Sequence, residues 1–272
     1  MAVLYHNSIL TNNIDKLGYK GNINYLKSKL IVLLEKFLFK HLSVFTLSNH
    51  YRNVINNKYP GANIKLLRLP FFQVIGSLKL NSISNLDFIK VRPNAIPNIL
   101  LFGHWGPQKN PLPLLHTLRV FRKNGYNFNV KIAGGINPHF PSYGEFLNSL
   151  IEEYSDVVNE KMGYVSEKQL FPLFLSSDLV LINYNTPGGF SSVLSFAIFF
   201  QKYILISDFP EYREQAYSYD KIAFFNDNNL FDVLFKMLNT VKTNQSEIHK
   251  IIIKDRILEM TRTFTEEIQN LN

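Results

Sequence analysis

Between residues 99 and 225, short apolar runs without polar alternation recur, each followed by a segment with helical spacing. Ile99-Leu100-Leu101-Phe102, Leu179-Val180-Leu181-Ile182, Tyr203-Ile204-Leu205-Ile206 and Ile222-Ala223-Phe224-Phe225 are the clearest of these runs. A strand that skips alternation is buried on both faces, and such strands, alternating with helices, form a parallel sheet covered on both sides. Phe128 to Ala133 and the short Asp156-Val157-Val158 add further strands. Helices are expected over residues 112–123, with Leu114, Leu115, Leu118 and Phe121 inward, and over 143–154, 191–200 and 230–238. Ser166 and Gln169 form a capping box for another, ending near Leu175.

The first eighty residues carry less. A strand at Val3-Leu4-Tyr5 leads to His6 and an asparagine-rich loop, a helix is expected over residues 26–40, and Val44 to Leu47 is a second strand. Ser48 caps a helix over residues 49–56, Lys58 to Ala62 turns, and Ile64 to Leu67 is a third strand. Leu30, Leu33, Leu34, Phe37, Leu38 and Leu42 share one helical face, which predicts a packed helix. Residues 30–47 also carry Glu35, Lys36, Lys40 and His41, too many charges for a membrane span. The expected organisation is a partial N-terminal α/β domain over 1–80, a proline-marked linker over 81–98, a Rossmann-like domain over 99–240 and a C-terminal helix over 241–272.

Composition narrows the partners. Cysteine is absent, which excludes disulfides, thiolate nucleophiles and cysteine-held metal. The formal net charge of +8 favours anionic partners. The lysines are scattered and no arginine-rich helix occurs, so nucleic acid is not expected, while peripheral contact with an anionic membrane face is. With no basic, apolar leader at Met1 to Ser8, a cytoplasmic protein is expected.

Two glycine-bearing turns follow buried strands and precede helices: Gly103-His104-Trp105-Gly106, with Lys109 beyond, and Pro187-Gly188-Gly189-Phe190-Ser191-Ser192. Helix starts beside such turns, at one edge of an α/β sheet, are where the phosphates of a nucleotide sit. The first turn lacks the third glycine and the downstream acid of a dinucleotide site. No Walker lysine-serine pair, H-E-x-x-H or G-x-S-x-G is present, so no metal or serine-hydrolase chemistry is expected.

The order of these pieces resembles the nucleotide-sugar-binding C-terminal half of GT-B glycosyltransferases, most like the retaining family 4. Gly103-His104 with Lys109-Asn110 resembles the family's Gly-Arg and Lys-Gly segment, and Gly163-Tyr164-Val165 its Gly-x-Val. Ser177-Asp178-Leu179-Val180 resembles the family's Ala-Asp strand entry. Gly188-Gly189-Phe190-Ser191, Phe196-Ala197 and residues 201–208, ending in Ser207-Asp208, resemble its most distinctive block, and Phe209 to Glu214 continue it. The fold implied is a GT-B type Rossmann-like parallel α/β sheet with helices on both faces, preceded by an incomplete second α/β domain.

The resemblance implies transfer of a sugar from a nucleoside diphosphate to a glycan or lipid-linked acceptor, with no cofactor and no metal. It assigns catalytic roles to His6, His104 and Lys109, and donor binding to Gly103, Lys109, Gly134, Val165, Gly189, Phe190, Ser191, Ser192 and Glu211. The chain departs from the family where its two glutamates would fall, at Gly188 and Phe196, and where its arginine would fall, at His104. The helix starting at Ser191 is expected to do more of the phosphate work, and Ser195 is a candidate substitute for the missing ribose acceptor. The competing expectation is a catalytically inactive or partner-dependent nucleotide-sugar-binding module, completed by another chain or by an oligomer.

Overall fold

The structure is a computed structural model that describes residues 2–5, 33–34, 36–37, 40–41, 43–46, 48–66, 96–186, 189–217 and 219–244. The linker expected over 81–98 lies almost wholly outside these residues, as do His6 and all but the start of the C-terminal helix. The chain divides into two units, the first holding the described residues up to 66 together with Gly189 and Phe190, the second the remainder.

In the first unit three short strands, β1 (Ala2–Tyr5), β2 (Ser43–Thr46) and β3 (Ile64–Leu66), pair in parallel in that order. Helix α1 (Asn49–Lys58) lies between β2 and β3 and is capped by Ser48, whose hydroxyl accepts from the Tyr51 amide. The expectation of a packed face further upstream fails for its described members. Leu33, Leu34 and Phe37 are 64%, 53% and 61% exposed. The described core of this unit is Ile55, Tyr59 and Ile64, too small an apolar surface to cover another helix.

The second unit is built on six parallel strands: β4 (Asn98–Phe102), β5 (Asn129–Ala133), β6 (Val158–Met162), β7 (Leu179–Ile182), β8 (Tyr203–Ser207) and β9 (Ile222–Phe225). Their order across the sheet is β6-β5-β4-β7-β8-β9, the doubly wound order, in which the chain reverses direction between β4 and β7. Helices α2 (Leu112–Lys123), α3 (Tyr143–Glu153) and α7 (Leu230–Asn244) pack with Ile99, Leu101, Leu179 and Leu181 on one face. Helices α4 (Glu167–Leu175), α5 (Ser192–Phe199) and α6 (Pro210–Gln215) pack with Leu100, Val180, Ile182 and Ile204 on the other. Successive strand residues thus enter opposite cores, as their unbroken apolar character requires. This is a Rossmann-like, GT-B-like sheet with a smaller sheet before it.

One strand differs from expectation. Residues 156 and 157 precede β6, which runs later, through exposed Asn159, Glu160 and Lys161. It is an edge strand, so its solvated face carries charges that hide the strand from an apolar pattern. Helix α6 was not anticipated at all; Pro210 opens it directly after β8.

Candidate functional site

Three glycines end three adjacent strands: Gly103 after β4, Gly134 after β5 and Gly163 after β6. Gly103 donates its amide to Ala133 O at 3.2 Å, and Gly134 to Gly163 O at 3.0 Å. Gly134 has φ +115, and a Cβ there would collide with the Gly103 carbonyl, so only glycine fits this approach. At Gly103 a Cβ would overlap Lys109 Nζ instead. The ammonium therefore lies directly over the glycine backbone at the carboxyl-terminal end of β4.

The loop is arranged to keep it there. Lys109 N–H donates to Gly106 O at 2.8 Å, while its carbonyl accepts from Tyr143 Oη at 2.8 Å. Trp105 is buried, and its Nε1 donates to Ala133 O at 3.1 Å. Among the described residues the Lys109 ammonium makes no ion pair and no hydrogen bond, and its aromatic neighbour is Tyr184, 5.3 Å from Nζ to the ring centroid. Burial lowers its pKa from 10.5 to about 8, with no neighbouring charge opposing the shift. A half-buried cation with no anion beside it among the described residues, at the point where the sheet order reverses, can bind an anionic ligand.

Tyr184 stands two residues beyond β7 and links this cation to α5. Its hydroxyl shares a 3.0 Å hydrogen bond with Ser191 Oγ, and its amide donates to Ser207 Oγ at 2.8 Å. Burial raises the Tyr184 pKa, which keeps the phenol neutral. Ser191 is the N-cap of α5, its hydroxyl accepting from Leu194 N–H at 3.2 Å.

Gln215, on α6, clamps the same cap. Its Oε1 accepts from Ser191 N–H at 2.9 Å, and its Nε2 donates to Ser191 O at 2.7 Å and Ser195 Oγ at 2.9 Å. The Ser191 amide, expected to face phosphate, is therefore taken up within the protein. So is Ser195, whose hydroxyl also donates to Ser191 O at 3.2 Å. At the start of α5 the Ser191 and Leu194 amides are thus engaged within the protein, whereas the Lys109 ammonium has no ionic or hydrogen-bond partner among the described residues.

The remaining expected residues are dispersed. His104 is exposed beside Gly103, and Val165 packs against the core beneath α4 and α5. Ser192 is half-buried at the start of α5. Gly189, at φ +77, and Phe190 lie in the turn before Ser191 and group with the first unit. Glu211 is 3% exposed on α6, and among the described residues neither of its carboxyl oxygens has a hydrogen-bond partner. Phe196, where a family glutamate would fall, is buried against Phe174. Tyr184 and Gln215 were not singled out by sequence; the signals were a Tyr flanked by Asn183 and Asn185 just past a buried strand, and a Gln one helical turn beyond Glu211. The described residues contain no cluster of three or more His, Cys, Asp or Glu fit to hold a metal. No described helix is long and apolar enough to cross a membrane.

No family model and no curated protein matches the sequence. Solved structures match in fold. Sucrose-phosphate synthase from Thermosynechococcus elongatus aligns with TM-score 0.67 at 13% identity, over 99% of this chain and 66% of that one. A glycosyltransferase from Rickettsia africae aligns with TM-score 0.64 at 15% identity, over 99% and 68%. Anabaena HepE, solved in complex with UDP and glucose, aligns with TM-score 0.62 at 14% identity, over 99% and 70%. At such identities the likeness establishes the fold. The chain spans about two thirds of the length of the first of these proteins.

Proposed function

We propose that this chain is a glycosyltransferase that moves a sugar from a nucleoside-diphosphate sugar to a glycan or lipid-linked acceptor. The observation that carries the reading is the Lys109 ammonium over Gly103, at the sheet's reversal point, without an ionic or hydrogen-bond partner among the described residues. The likeness in fold to proteins such as HepE, which binds UDP and glucose, supports the choice of donor. In the reaction the bond from the sugar's anomeric carbon to the β-phosphate oxygen breaks, its electron pair stays with the phosphate, and the acceptor oxygen bonds to that carbon as its proton leaves. Negative charge grows on the diphosphate, and a preoriented cation stabilises that charge. Lys109 fills this role, with His104 as an exposed second donor beside it. His6 keeps the acceptor-side role its sequence position suggests. Gly103 makes room for the Lys109 ammonium and Gly134 for the Gly103 carbonyl by lacking a Cβ, while Val165, Ser191, Ser192 and Glu211 belong to the donor side.

A second reading has its own support. Phe196 gives α5 an aromatic core residue in place of a carboxyl, which favours a module that binds nucleotide-sugar and needs a partner chain or oligomer for turnover. Peripheral contact with an anionic membrane surface is part of either reading.

One titration tests both. Trp105 is the chain's single tryptophan and shares a recess with Lys109, so its fluorescence reports on the site. Wild type and K109M are titrated with inorganic pyrophosphate, UDP, ADP and GDP, with calorimetry in parallel. The variant is expected to bind tenfold or more weakly, the loss typical of a charge-assisted contact. Absent binding, or equal binding by both proteins, overturns the proposal. Hydrolysis of UDP-glucose, ADP-glucose or GDP-mannose then marks an enzyme, and binding without hydrolysis marks the module.

A further inference from the structure

Five successive backbone carbonyls, from Gly106 to Asn110, are all answered. Gly106 O accepts from Lys109 N–H and Lys109 O from Tyr143 Oη, each at 2.8 Å. The other three are held by one tripeptide just past β7. Asn185 donates from Nδ2 to Pro107 O at 2.9 Å and from its amide to Gln108 O at 3.0 Å. Asn183 donates from Nδ2 to Asn110 O at 2.7 Å. The two asparagines thus grip the loop on either side of Lys109, from across the point where the sheet order reverses.

The grip is itself anchored. Ser207 Oγ, at the end of β8, donates to Asn183 Oδ1 at 2.9 Å and accepts from Tyr184 N–H at 2.8 Å. Asn183 therefore donates and accepts at once, which an amide side chain can do and an ionised aspartate cannot. Between the two asparagines stands Tyr184, whose ring centroid is 5.3 Å from the Lys109 ammonium. A lysine stem resists being fixed, because it loses rotamer freedom and its strongly hydrated head is drawn to water. Among the described residues no acceptor holds this ammonium, so the backbone that carries it decides where it rests.

Resting on the glycosyltransferase reading, we infer that Asn183 and Asn185 are positioning residues, which hold the Lys109 loop so that its ammonium stays over Gly103 for the donor's diphosphate. Their effect passes through the loop backbone rather than through contact with the ligand. A cation already in place binds an anion without first giving up the freedom of its stem.

Placement can be read apart from folding, because burial is what lowers the Lys109 pKa to about 8. A loop released toward water returns that value toward 10.5. The titratable neighbours of the loop are Tyr143 and Tyr184, whose pKa values burial raises, and exposed His104. Wild type, N183A, N185A, the N183A N185A double variant and K109M are titrated with inorganic pyrophosphate from about pH 7 to pH 10. The ligand's own titration is common to every protein and cancels. The control is N129A, which removes the Asn129–Asn98 side-chain bond at the opposite end of the sheet. Melting temperatures are recorded for all.

The double variant is expected to bind about tenfold more weakly near neutral pH. The pH at which its affinity falls is expected to rise by about one unit, while K109M shows no such fall. N129A keeps both wild-type readings whatever its melting temperature. The inference is overturned if either the affinity or the midpoint of the double variant matches wild type, or if N129A moves the midpoint as far. Should the double variant not fold, the single variants decide by the same two readings. Pyrophosphate binding that K109M abolishes and the asparagine variants retain leaves the donor reading standing without this one; no binding by wild type ends both.

Discussion

The second unit contains a half-buried lysine, Lys109, and a buried one, Lys202, at opposite ends of one sheet, and their surroundings differ. Lys202, at the entrance to β8, donates from Nζ to Leu175 O at 3.0 Å, and the field of Asp178 favours its charge. Asp178 in turn accepts from the Asn98 amide at 2.7 Å, joining the starts of β4 and β7. Lys109, beyond the other end of β4, has only an aromatic ring among the described residues. Burial is the main cause that lowers both ammonium groups to about 8, with Asp178 opposing and Lys221 adding to the shift at Lys202, and of the two only Lys202 meets a protein acceptor among the described residues. The contrast separates a cation that holds strands together from one left for a ligand.

The largest effect that sharpens this comparison is on backbone packing. Gly134→Ala drives a Cβ into the Gly103 carbonyl at a positive φ and is expected to cost on the order of 3–4 kcal/mol in urea unfolding. Gly125→Ala, at φ +85 but facing open space, should cost only about 1 kcal/mol. Equal losses would mean that the glycine ends of β4 and β5 are not held in contact.

Next in size is the exchange of the two lysines for methionine. K202M removes the donor to Leu175 O and is expected to lose about 1–3 kcal/mol of stability while pyrophosphate affinity holds. K109M removes an unanswered charge, so its stability should stay level or rise while affinity falls. A destabilised K109M would break the distinction between the two ends of the sheet.

The smallest effect is on pH dependence. Below about pH 8 each lysine is protonated in both the folded and the unfolded chain. Between about 8 and the ordinary lysine value of 10.5 only the unfolded chain retains these protons, so stability climbs with pH across that window. In the K109M K202M double variant the climb should flatten. Pyrophosphate affinity moves the other way, falling as pH rises through about 8 while free Lys109 loses its proton. A wild-type affinity that is flat from pH 7.5 to 9.5 would show that the Lys109 charge does not meet the ligand.

Much of the sheet was readable from the chain. Leu179 to Ile182 and Tyr203 to Ser207 are strands because no alternative buries four consecutive apolar residues between helices so economically. The edge strand β6 was misplaced because Asn159, Glu160 and Lys161 face water and leave no apolar trace. Within the site, Gly103 and Lys109 could be marked from a glycine turn after a strand. That the Ser191 amide would be consumed by Gln215 could not, since the two residues are distant in sequence and meet only where α6 folds back beside α5.

Local spacing alone decided which segments are strands and helices, because the period of apolar residues is a property of neighbours along the chain. It also set the places where backbone turns admit only glycine. Tertiary structure decided which polar groups are answered and which are left open, because a hydrogen bond joins residues that sequence distance does not relate. Lys202 finds a carbonyl contributed by α4, while Lys109 finds an aromatic ring and no acceptor among the described residues. That allocation of partners, made only when helices pack on the sheet, turns an ordinary lysine into a candidate anion-binding group.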